Sequence, residues 1–183
     1  MYDGGTEATG VVRWKGKIMM KSAFTALAAV ATFAGLVVSA APVAANGSSQ
    51  ISGVSTFDDE GVCTEIPSLF TLKMEEGNGD LVGCWYTDTA EVVQETTSGV
   101  YQERGTETFI GCLADGTTCG SFSTTYKFTA KFAVDGSEIH GRCQHPIVSG
   151  SGTGGFEGVT GRVDFKDDVV TGEFNYRGHL RFP

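Results

Sequence analysis

The stretch "FSTTYKFTAKF", Phe122 to Phe132, puts Tyr126, Phe128, Ala130 and Phe132 on one face and Lys127, Thr129 and Lys131 on the other. A period of two describes a half-buried antiparallel strand. Phe174, Tyr176, Leu180 and Phe182 repeat the pattern, and no helical period survives after Ala45. The alternation predicts strands over Gln50–Phe57, Leu69–Met74, Leu81–Thr87, Gly99–Cys112, Cys119–Phe132, Ile139–Val148, Gly158–Phe165 and Val170–Phe182. Asn78-Gly79, Asp115-Gly116 and Asp135-Gly136 suit tight hairpins that need positive φ. About eight consecutive antiparallel strands make a barrel or a sandwich. Sequential hairpins favour an up-and-down meander, and closing it removes exposed edges. Eight strands enclose packed side chains or one small ligand.

The N-terminal quarter follows other rules. "MMKSAFTALAAVATFAGLVVSAAPVAA", residues 19–45, has a basic start at Lys21, an uncharged apolar run from Ala23 to Val38 and small residues at Val43-Ala44-Ala45. That is the order of a secretory signal peptide. The run is short and alanine-rich for a membrane span of about 20 residues, although an uncleaved anchor is the alternative. Residues 1–18 fit no part of a signal peptide and read as a mis-assigned extension ahead of a start at Met19 or Met20. The expected domain is therefore 46–183, secreted or in the periplasm or cell envelope, with no stable membrane insertion after cleavage.

Four of the 13 basic and two of the 22 acidic residues precede Asn46, which leaves nine against twenty and a net charge of −11. Nucleic acid and anionic membrane surfaces are poor partners for such a chain. All five cysteines lie in the expected domain, and export implies disulfides. In "CLADGTTC", counting outward from Asp115-Gly116 opposes Cys112 to Cys119 across a hairpin. Opposed Cα atoms in a non-hydrogen-bonded pair, about 4.5 Å apart, lie within disulfide range. Cys63 with Cys84 is the second expected pair, leaving Cys143 free.

"GSGTGGFEGVTGRVDF", residues 150–165, contains a G-x-G-x-x-G match. A dinucleotide site needs a helix after the glycines, whereas Val159, Gly161, Val163 and Phe165 alternate as a strand does. Glycine in strands also marks bulges and sharp barrel bends. Gly141-Arg142, Pro146, Gly152-Thr153-Gly154, Phe156 and Gly161, with the aromatic strand Phe122–Phe132 before them, resemble the signature of the allene oxide cyclase-like barrels, which include the plant dirigent proteins. The similarity spans roughly residues 105–180 and reads as an exported member of bacterial type. The resemblance implies an eight-stranded antiparallel barrel with a largely apolar cavity, often a homo-oligomer, whose glycines shape a turn beside that cavity. The family's catalytic acidic residues have no residue-by-residue match in this chain.

The residues themselves offer candidates. His140, Arg142 and Gln144 share one face of a strand, and Ile139, Gly141, Cys143 and His145 share the other. Glu103 and Glu107 share a face, as do Arg177 and His179. If their faces turn inward, Glu107, His140, Arg142 and His179 form a polar patch for acid–base work; polar residues on antiparallel strands more simply face outward. His140 and His145 point opposite ways on a regular strand, and no Cys-x-x-Cys occurs, so no metal and no cofactor is expected. Cys143 beside His145 suggests a nucleophile, against the plainer reading of a buried or disulfide-linked cysteine. The expected function is an exported barrel that binds a small apolar ligand in its lumen or serves a structural role; the alternative is a cyclase-like or dirigent-like enzyme. A carbohydrate-binding sandwich is a third reading, for which Trp85 alone makes a thin aromatic platform.

Overall fold

The computed structural model describes residues 47–183, so the expected extension (1–18) and signal peptide (19–45) lie outside the described residues. Eight strands form a closed antiparallel barrel in sequence order. They are β1 (Gly47–Phe57), β2 (Thr71–Met74), β3 (Leu81–Glu95), β4 (Val100–Leu113), β5 (Cys119–Phe132), β6 (Glu138–Pro146), β7 (Thr160–Asp168) and β8 (Glu173–Phe182). β8 closes on β1, from Gly47 opposite Phe182 to Ser55 opposite Phe174. The up-and-down barrel expected from the alternation is the fold observed.

Two details differ from the sequence reading. β3 runs on to Glu95 instead of stopping at Thr87, because β-bulges at Thr87/Thr89 and Val92/Gln94 let it keep pairing with β4. In the β2–β3 connection the positive φ falls on Gly77, and Asn78 closes the turn by donating to the Glu75 carbonyl.

Turns β2–β3 and β4–β5, the β6–β7 loop and the outer ends of β1 and β8 lie at one end of the barrel, here the closed end. Turns β3–β4, β5–β6 and β7–β8 lie at the other, the mouth. Side chains that alternate inward at the closed end are aromatic and aliphatic, and they bury each other. Leu81, Phe109, Phe122, Val163 and Leu180 are at most 1% exposed.

The glycine-rich loop answers the nucleotide question. After Gly150 the chain makes one three-residue 3-10 turn, Gly154–Phe156, and then enters β7, so no α-helix follows the glycines. The loop lies flat on the start of β5. Gly154 has φ +58°, and a Cβ there would sit 2.5 Å from the Cys119 carbonyl oxygen. This close approach drops Phe156 into the lumen, fully buried, with its ring 5.2 Å from Phe122 and 5.8 Å from Phe109. The glycines position a stopper.

Both expected disulfides are present. Cys112 pairs with Cys119 in the register counted from the hairpin, with Cα atoms 4.0 Å apart. Cys63–Cys84 ties the loop between β1 and β2 onto the outside of β3. Beneath that loop Tyr86 is fully buried against Ile66 and Ile110, a small second core outside the barrel wall.

Candidate functional site in the mouth half of the lumen

Above the aromatic plug the inward-facing positions turn polar. β4 contributes Glu107 and Glu103, β3 contributes Trp85 and Thr87, and β6 contributes His145 and Cys143. Glu107 is 6% and His145 2% exposed. The Trp85 indole N–H and the Thr87 hydroxyl, 2.5 and 2.9 Å away, donate to separate oxygens of Glu107. His145 Nε2 lies 2.7 Å from Glu107 Oε2, and its Nδ1 lies 3.1 Å from the Val163 carbonyl oxygen. A carbonyl only accepts, so Nδ1 carries a hydrogen and a further proton lies between Nε2 and Oε2. Both oxygens of Glu107 are thus engaged, by three side-chain partners in all. The pair joins β4 to β6 across β5 and forms the floor of the upper lumen.

One level nearer the mouth, Glu103 accepts from the Tyr126 and Tyr101 hydroxyls at 2.5 and 2.6 Å. Burial, then the adjacent carboxylate, holds both phenols above the ordinary tyrosine range, so they remain proton donors. Cys143 faces the same space. Burial, then the charges of Glu107, Asp167 and Glu103, pushes its thiol up. His145 spends its ring on Glu107 and Val163, so Cys143 gains no activating base and the nucleophile reading fails.

At the rim two carboxyl groups converge over Gly141. A Cβ there would sit 2.2 Å from Asp167 Oδ2 and 2.4 Å from Glu138 Oε1, so a side chain at this position would push the two carboxyls aside. Burial, then the hydrogen bond and charge of Asp167, raises Glu138 to about 7, and burial raises Asp167. Two carboxyls this close hold one proton between them more readily than two negative charges. Around them stand half-exposed rings: Phe57 packs edge-on to Phe70 and Phe174 at 4.6 and 4.8 Å, and Tyr101 to Phe132 at 5.9 Å.

Of the four sequence candidates, only Glu107 points inward. His140 and Arg142 are exposed on the outer face of β6, and His179 lies on the outer face of β8, opposite Arg162 and Gln50. The expected patch of four therefore does not form. The period of two decides it: Gly141 and Cys143 oppose the inward Ala130 and Phe128, which sends His140, Arg142 and Gln144 outward. The residue that joins Glu107 is His145, a histidine on a face otherwise made of Gly141 and Cys143; that placement was the available signal. Trp85, fully buried at the floor, offers no surface platform to a sugar ring. Among the described residues no three His, Cys, Asp or Glu side chains are disposed to hold a metal ion. No family model matches the chain, and no curated protein is similar to it.

Proposed function

We propose that the protein is an exported barrel that takes a small molecule with an apolar body and a hydrogen-bond-donating end into the mouth half of its lumen. The observation that carries this reading is the contrast between the ends. Phe57 and Phe70 at the mouth are part-exposed, near 38%, while Phe109, Phe122 and Phe156 towards the closed end are fully buried. Part-exposed aromatics at the rim, beside a few oriented polar groups, suit a ligand of mixed character. Glu103 and the Glu138–Asp167 pair supply the acceptors. Two disulfides support the oxidising compartment. Distant membership of the allene oxide cyclase-like barrels, with the homo-oligomer it implies, belongs to the same proposal.

N-phenyl-1-naphthylamine, an apolar probe with one N–H, tests the reading. Saturable fluorescence enhancement is expected, and Cys143→Phe, which fills the lumen below the rim, abolishes it without loss of fold. Absence of saturable binding favours the purely structural role.

A specific observation also favours the second reading, a cyclase-like or dirigent-like catalyst. Glu138 sits near neutrality at the mouth, and neutral Tyr101 and Tyr126 stand below it, so a proton acceptor and donors face one space. Turnover of an epoxide or phenolic substrate that Glu138→Gln removes, with probe binding intact, would establish it.

A further inference from the structure

The outer wall carries a charge pattern the lumen does not explain. Of the nine lysines and arginines from residue 47 onward, only Lys73 and Arg104 lie off β5 to β8. The rest share one side of an otherwise acidic protein. Cross-strand pairing makes the bias costly, since Arg142 directly opposes Lys166. Like charges held opposite each other destabilise a sheet.

The part of this wall spanning β7, β8 and β1 is concave. An open groove of about 390 Å³ is lined by Arg162, Asp164, Arg177, His179, Gln50 and Ser52, with the backbone of Gly178 as part of its floor. The six side chains form two adjacent cross-strand rows, Asp164–Arg177–Ser52 and Arg162–His179–Gln50. Arg162 is committed to Asp164 Oδ2 at 2.6 Å. The other oxygen, Asp164 Oδ1, is buried within the groove with no hydrogen-bond partner. Arg177 forms no ion pair among the described residues, so its guanidinium fork is uncommitted in the groove.

We propose that this groove binds a carboxylate flanked by hydroxyl groups, as in the uronic acid units of an acidic polysaccharide. Among the arginines and carboxylates that line the groove, two guanidinium groups stand against one carboxylate, an excess of one positive charge that matches a single carboxylate and disfavours a dianion. Arg177 presents a planar fork to a planar carboxylate. Gln50 offers a donor and an acceptor to the flanking hydroxyls, and Ser52, whose N–H and hydroxyl donate to Asp80 Oδ2, offers its hydroxyl oxygen as a further acceptor. The outward positions of β5 to β8 include no Phe, Tyr or Trp, which removes the stacking surfaces that single-stranded nucleic acid uses.

The experiment titrates the full chain with trigalacturonate by calorimetry, in parallel with a neutral galactose trimer, a short DNA oligonucleotide and anionic lipid vesicles. The expected result is saturable binding of trigalacturonate alone, weakened at least tenfold by Arg177→Ala and by Arg162→Ala. Lys127→Ala, on the same wall outside the groove, leaves it unchanged, and Arg177→Lys restores part of it. The proposal is overturned if the arginine variants bind as the parent does, if the neutral trimer binds equally, or if DNA or vesicles bind more tightly than the sugar acid.

Discussion

At the closed end the barrel turns Leu81, Phe109, Phe122 and Leu180 inward and adds Phe156 from a loop; at the mouth the same strands turn in Glu103, Glu107, Cys143 and His145. β4 crosses both regions, from Phe109 to Glu103 in six residues. The closed end is held by dispersion and apolar burial, which need close packing but no direction. The mouth is held by directed hydrogen bonds whose polar members stabilise only while each keeps its partner. This barrel therefore rests on close packing at one end and on partnered polar groups at the other.

Removing the stopper should cost most. Phe156→Ala leaves a cavity among Phe109, Phe122 and Phe182 and should lower stability by about 3–5 kcal/mol, read by urea denaturation. Binding of N-phenyl-1-naphthylamine at the opposite end should survive under native conditions, and its loss would show that the two ends are not separable. Glu107→Ala leaves the His145 imidazole and the Trp85 N–H without their acceptor and should cost a comparable amount, about 3–5 kcal/mol; an effect below about 1 kcal/mol would mean that water already serves those groups.

Smaller effects sharpen the contrast. Cys63→Ser opens the longer disulfide loop and should cost about 3 kcal/mol, against about 2 kcal/mol for Cys112→Ser, by loop-closure entropy. Smallest is the rim. Glu138 and Asp167 ionise at higher pH in the folded than in the unfolded chain. From about 4.5 to about 7 the folded state thus holds more protons, and stability falls as pH rises. Glu138→Gln should flatten that slope and raise stability at pH 8 by less than about 1 kcal/mol, since both groups are partly solvated.

The barrel was legible because its signal is local: alternation in Phe122–Phe132 and turn residues at Asp115-Gly116 suffice to order the strands. The Cys112–Cys119 bond followed from the same counting. The site was less legible. Which face of β6 turns inward depends on the register against β5, a long-range property that residues 139–145 do not encode alone. The Glu138–Asp167 pair was invisible for a similar reason, since it joins the mouth ends of two strands, β6 and β7, over Gly141. Phe156 sat in plain view as part of a glycine motif, but its insertion into the lumen depends on Gly154 lying against Cys119.

Aromatic-ring NMR of the isotope-labelled protein titrated with N-phenyl-1-naphthylamine decides whether the mouth half is the binding half. Saturable shifts are expected for Phe57, Phe70, Phe174 and Tyr101, with Phe109, Phe122 and Phe156 unmoved. Saturable shifts at the closed-end rings, or none anywhere at saturating probe, would contradict binding in the mouth half.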